Sequence, residues 1–176
     1  MANPLRGPDA PNDPFVDQLT MVRAPARQLS QPTIDSTVLD DIEAASIYRN
    51  AALSVNNNDI ITWDTIITDS IGLWNGSTGI VIPIAGKITG PWRFHAQVTY
   101  PGTGAGTLRG IQLLQNGVAI ATKTHPANAL SVSLSRMVIS PQPGDVFTVK
   151  ITQDSGGPLA LTVGSANMWF EVFHAQ

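Results

Sequence analysis

Trp92-Arg93-Phe94-His95-Ala96-Gln97-Val98-Thr99-Tyr100 alternates without a break, with apolar or aromatic side chains at even positions and polar ones at odd positions. A period of two over this length means a β-strand with one buried face, because a helix would scatter the same side chains around its circumference. Working outward, most of the chain after Asn58 reads the same way. Ile61, Trp63, Thr65 and Ile67 would form one face of a first strand, and Ile80, Ile82 and Ile84 one face of a second. Pro83 marks that second strand as an edge or bulged strand, since proline cannot donate to a ladder.

Beyond 92–100 comes a Gly-rich loop, then a strand over 107–115 and Asn116-Gly117. That dipeptide is a strong hairpin signal because both residues tolerate positive φ. Val118, Ile120 and Thr122 return from it. Leu130, Val132, Leu134, Arg136 and Val138 alternate with Ser131, Ser133 and Ser135. Phe147, Val149 and Ile151 make another inward face, as do Leu159, Leu161 and Val163, and Met168, Phe170 and Val172 close the chain. Nine or ten short strands with no helix between them predict an all-β sandwich or barrel over 59–176.

The segment ahead of this domain differs. Residues 1–35 carry Pro4, Pro8, Pro11, Pro14, Pro25 and Pro32, which excludes a regular helix or an inner strand. Two readings stand: a disordered tail, or an arm extended along a partner with Phe15, Leu19, Met21 and Val22 as apolar anchors. Residues 36–58 read as a short helix and linker. Ser36 or Thr37 can cap the helix, and Asp40, Asp41 and Glu43 suit the positive end of its dipole. Its seam would be Val38, Ile42, Ala45 and Ala52, with Arg49 in line, and Asn56-Asn57-Asn58 would join it to the β-domain.

Composition narrows the function. With 43% hydrophobic residues the chain can bury a core, yet only 13% are charged, against a typical ~25%. Such a surface is filled by small polar residues or hidden against other subunits, which suits a durable assembly component. The net charge is −3 with no Lys/Arg run, so nucleic-acid binding has no electrostatic footprint. Without cysteine there are neither disulfides nor thiolate metal sites. No basic stretch followed by an apolar run marks a secretory signal, and no stretch reaches the ~20 apolar residues of a membrane span.

No catalytic constellation stands out. His95, His125 and His174 sit in no metal-ligand spacing, and the carboxylates Asp64, Asp69, Asp145, Asp154 and Glu171 are dispersed, so an acid/base pair for glycan hydrolysis is not visible. Asp145 is expected to accept backbone hydrogen bonds in its own turn. The loop 101–107 is rich in glycine but lacks the phosphate-cradle pattern G-x-x-x-x-G-K-[ST]. Trp92 is in phase with the core, whereas Trp74, beside Asn75-Gly76, is the best candidate for an exposed ring. Trp74, Thr103, Thr107 and His125 are the candidate ligand-loop residues.

Several segments in order resemble one family. Gly90-Pro91-Trp92-Arg93-Phe94 is similar to the Gly-x-aromatic-x-Phe strand of the C1q/TNF-like jelly rolls, and it follows a proline-containing apolar strand as it does there. Asn116-Gly117 matches the family's short hairpin. The Ser-rich strand from Leu130 to Ile139, the turn Pro143-Gly144-Asp145 and the strand from Val146 to Val149 follow in the family's order. Gly164 to Asn167 and the aromatic strand from Met168 to Phe173 resemble its end. The collagen-like repeats and cysteines of secreted animal members are absent. C1q-like domains with short non-collagenous arms also occur on bacteriophage virions. The resemblance therefore implies a non-enzymatic virion protein, a homotrimeric capsid-decoration or head-fibre knob held by its arm to a major capsid or tail protein. The alternative is a receptor- or carbohydrate-binding module of a tail or collar appendage, using loops 101–107, 123–129 and 153–158. No cofactor is expected, although some C1q-like trimers hold calcium at their axis and this sequence carries no EF-hand pattern.

Overall fold

The computed structural model describes residues 44–83, 90–102 and 105–174. They form eleven strands: β1 (Ala44–Tyr48), β2 (Leu53–Val55), β3 (Thr65–Asp69), β4 (Gly79–Val81), β5 (Trp92–Thr99), β6 (Leu108–Gln115), β7 (Val118–Pro126), β8 (Ser131–Val138), β9 (Val146–Gln153), β10 (Leu159–Leu161) and β11 (Trp169–His174). A five-stranded sheet in the order β3-β1-β11-β5-β8 packs on a four-stranded sheet in the order β4-β9-β6-β7, and β2 pairs with β10. Every pairing is antiparallel. The described residues contain no helix.

Register brings the apolar rows together. Phe94 lies opposite Val172 and Ala96 opposite Phe170 in one sheet, and Ile111 opposite Ile151 and Leu113 opposite Val149 in the other. All eight are buried. The Phe94 and Phe147 rings stack at 4.0 Å between centroids, joining the sheets at the middle of the core, and Phe170 packs against Trp63 at 5.9 Å. Each such ring contributes roughly 2–3 kcal/mol by leaving water. Trp92 is fully buried, as its phase requires.

Turn chemistry sets the connections. Asn116 and Gly117 both adopt positive φ, 51° and 81°, and close a two-residue hairpin between β6 and β7. Asp145 accepts from the Gln142 amide at 2.7 Å and from the Gln115 and Asn116 side chains, both at 2.6 Å. Burial pushes its carboxyl up, but these three donors outweigh that and hold it below the usual range.

Three expectations need correction. The helix does not extend into the described residues: Ala44 to Tyr48 is strand β1, paired with β11 on one side and β3 on the other. Ala45 is buried opposite Val172, while Ala52 is exposed between β1 and β2; Val38 and Ile42 lie outside the described residues. The local signals were caps and dipole charges, which act over one turn. Two ladders of backbone hydrogen bonds plus burial of Ala45 and Ile47 outweigh them. The second correction concerns 61–67. Ile61 and Trp63 are buried but precede β3, and Ile67 is 58% exposed where the β1–β3 register shifts by a bulge. Third, in β8 the alternation ends early: Val132 and Leu134 are buried but Arg136 is exposed.

Candidate functional site

The outer face of the five-stranded sheet is built from three cross-strand rows. Tyr48, Trp169, Gln97 and Ser133 form one, and Ser46, Glu171, His95 and Ser135 the next. Ala44, Phe173, Arg93 and Met137 form the third. These are the odd positions of the opening alternation, so β5 shows polar groups here while β11 adds aromatics. His95 packs edge-on against Trp169 at 4.6 Å, the Arg93 guanidinium lies 5.8 Å from the Phe173 ring, and Ser46 donates to Glu171 at 3.2 Å. Tyr48, Trp169 and Phe173 are half-buried within one chain. An antiparallel sheet that faces water ordinarily presents a polar outer face; this one carries three large rings.

A second apolar surface lies where the sandwich opens, between edge strands β7 and β8. Met137, Ile139 and Val118 are 42%, 74% and 67% exposed. Ile120 and Val138 join Met137 and Ile139 around a cleft of about 250 Å³, with Arg136 on its wall.

The third feature is one end of the sandwich, where a polar layer replaces the core. Arg109 and Gln153 lie opposite each other in the β6–β9 register, and both are buried. The Arg109 guanidinium donates to the carbonyls of Leu108 at 2.8 Å and Ala105 at 2.6 Å, and it lies 5.9 Å from the Tyr100 ring. Tyr100 donates its hydroxyl proton to the Gly110 carbonyl at 2.7 Å; burial pushes its pKa up to about 12. Asp154 accepts from the Thr107 hydroxyl at 2.6 Å and from the Thr107 and Leu108 amides, both at 2.8 Å. The Thr107 hydroxyl, with the Leu108 amide next, lowers the Asp154 pKa to about 2.

This end gathers the three loops singled out from sequence. Asp154 ties 153–158 to Thr107, the Ala127 amide donates to the Thr107 carbonyl at 2.9 Å, and the Tyr100 amide donates to Leu130 at 2.7 Å. Residues 123–126 belong to β7 rather than to a loop. Thr107 is exposed and engaged with Asp154, and His125 is half-buried opposite Arg109. Trp74 is elsewhere, bridged to Ile80. Contrary to expectation its ring is half-buried against the core. The arm anchors Phe15, Leu19, Met21 and Val22 lie outside the described residues, as does Thr103. Sequence reading missed Arg109 and Gln153; their phase with Ile111 and Ile151 was the available signal. No group of three or more potential metal ligands occurs among the described residues, and no helix of theirs is long and apolar enough to cross a membrane.

No family model matches the chain, and neither does any curated protein. Solved structures do match. The globular domain of zebrafish complement 1qA covers 77% of this chain over 98% of its own, at 13% identity and a TM-score of 0.53. Murine APRIL at pH 8.0 covers 76% over 99%, at 14% identity and a TM-score of 0.58. The fold is a C1q/TNF-like jelly roll. Vertex protein P5 of the phage PRD1 matches the same jelly roll, with 76% of this chain over 96% of its own, at 13% identity and a TM-score of 0.51. Identities this low establish a shared fold and leave function to the surfaces.

Proposed function

We propose that the chain is a non-enzymatic virion structural protein. In this reading it is a homotrimeric capsid-decoration or head-fibre knob, fixed to a capsid or tail protein by its N-terminal residues 1–35. The observation that carries the reading is the aromatic outer face of the five-stranded sheet, with Tyr48 and Trp169 paired in its first row and Phe173 in its third. A second, unlike apolar surface lies at the β7/β8 edge. Two unlike complementary patches on one chain make a head-to-tail contact that closes into a ring when the rotation permits. Glu171 on the face and Arg136 at the edge give that contact a charge pair. The low charge content fits a chain with much surface hidden in an assembly, and a phage vertex protein shares the jelly roll.

Light scattering on the full-length protein tests the trimer: three times the chain mass is expected, and a stable monomer at micromolar concentration rejects it. Deleting residues 1–35 is expected to leave a folded trimer that no longer joins particles; normal incorporation would sink the anchoring role.

A second reading, adhesion through the loop end, is favoured by one observation. Loops from three separate parts of the chain converge there, and exposed loops on a rigid scaffold are where recognition concentrates.

A further inference from the structure

The β2–β3 link and the β9–β10 loop enclose a cleft of about 230 Å³ at the loop end, lined by Asn56, Asn57, Gln153, Gly156 and Gly157. Its lining carries no charge and no aromatic ring. The buried Gln153 holds the floor: its amide donates to Gly157 at 2.9 Å, and its carbonyl accepts from the Ser155 amide at 2.7 Å. The Gln153 backbone amide donates to Asn57 Oδ1 at 3.1 Å, which turns the Asn57 amino group away from that bond as a spare donor. Asn56 spends its amino group on Asp59 at 3.3 Å and keeps its carbonyl oxygen as a spare acceptor. Gly156, at φ 77°, and Gly157 have nothing within 4 Å of where a Cβ would stand, so no side chain fills that wall of the cleft. The Gly157 carbonyl and amide are engaged by Gln153 and Ser155, which leaves the Gly156 peptide as the open backbone group.

We propose that this cleft is a binding subsite for neutral carbohydrate. The inference rests on the adhesive reading above and names its residues and ligand class. A sugar hydroxyl both donates and accepts, as do carboxamides and open peptide groups. A charged ligand finds no counter-charge in the lining, and the Asp59 carboxylate beside it is turned to the Asn56 backbone and side-chain amides at 2.6 and 3.3 Å. The nearby Asp154 carboxylate is turned to Thr107, Leu108 and, at 3.7 Å, the Arg109 guanidinium. The position suits exposure. Ala44, where the described chain begins, pairs with Phe173, which lies beside Arg93 near the start of β5. The cleft belongs with the loops beyond the far end of β5, and eight residues of strand span about 25 Å at ~3.4 Å each. A small uncharged subsite binds weakly alone, and three copies on one trimer would raise avidity by the ~10²–10⁴-fold that linkage can supply.

The test prints gluco-, galacto-, manno- and N-acetylhexosamine oligosaccharides at high density, with heparin and polysialic acid beside them, and reads labelled full-length protein. Binding to at least one neutral oligosaccharide is expected. Gly157→Leu, at a position with open space and no positive φ, should weaken it at least tenfold, whereas Thr122→Leu on the far sheet face should not. Should Gly157→Leu lower the melting temperature, Asn56→Leu on an exposed residue blocks the opposite wall. Neutral-glycan binding that survives both substitutions overturns the cleft but leaves adhesion standing elsewhere on the loops. Absence of neutral-glycan binding removes both, and binding confined to the charged polymers overturns the cleft's assignment.

Discussion

The two outer faces of the sandwich share an architecture and differ in chemistry. On the four-stranded sheet the outward rows are Thr124, Gly110 and Thr152, then Thr122, Gln112 and Lys150. They are small, polar or charged, and none carries an aromatic ring. On the five-stranded sheet the equivalent rows carry Tyr48, Trp169 and Phe173. Both sheets bury their inner rows in the same core, so folding alone does not explain the contrast. Aromatic residues enriched on one face are the mark of a surface that meets another protein.

The strongest way to break that comparison is to remove the rings. Trp169→Ala with Phe173→Ala should convert the proposed trimer to monomer, because truncating central aromatic anchors costs about 2–4 kcal/mol each at an interface. Sedimentation velocity should show assembly weakened more than a hundredfold while the circular dichroism spectrum stays native. Unchanged assembly would make the aromatic face an ordinary rough surface. Arg136→Glu should weaken assembly about tenfold by setting two acids against each other. Adding Glu171→Arg should restore it; failure of that rescue in sedimentation would separate the two patches.

A smaller effect sets both faces against the loop end. The Asp154 carboxyl titrates near pH 2 when folded, below its ordinary 3.8. Its hydrogen bonds therefore stabilise the fold fully above the ordinary value and are lost as pH falls through about 2. Asp154→Asn should lower the melting temperature at pH 7 and flatten its decline between pH 4 and pH 2, with assembly at pH 7 unchanged. Scanning calorimetry across that range checks it, and an unaltered profile would show that Asp154 does not hold the loops. Smallest of all, Lys150→Glu on the polar face should change stability by no more than ~0.5 kcal/mol and assembly not at all. Dissociation of that variant would erase the distinction between the faces.

The inward rows were legible in sequence because a β-strand's side-chain period is two whatever surrounds it. Trp92 to Val98, Phe147 to Ile151, and Phe170 with Val172 all lie where alternation puts them. The Asn116-Gly117 hairpin and the Asp145 turn were legible for a similar reason: their backbone and side-chain preferences are local. Ala44 to Tyr48 was misread because its partners are distant: Val172 lies more than a hundred residues beyond Ala45. The same distance hid the roles of Arg109 and Gln153, which are polar members of apolar rows and hydrogen-bond to groups that the adjoining loops bring to them, Ala105 for Arg109 and Ser155 and Gly157 for Gln153.

By itself, then, the sequence determined which side chains face inward, where the chain turns, and that little charge would coat the product. These follow from dihedral preference and periodicity, which act between near neighbours. Only the tertiary structure decided that Tyr48, Trp169 and Phe173 share one outer face, that β1 is a strand, and that Asn56, Asn57 and Gly157 wall one cleft. Each of those facts depends on antiparallel register between distant segments, and register is set by collective burial of the core rather than by any one stretch of chain.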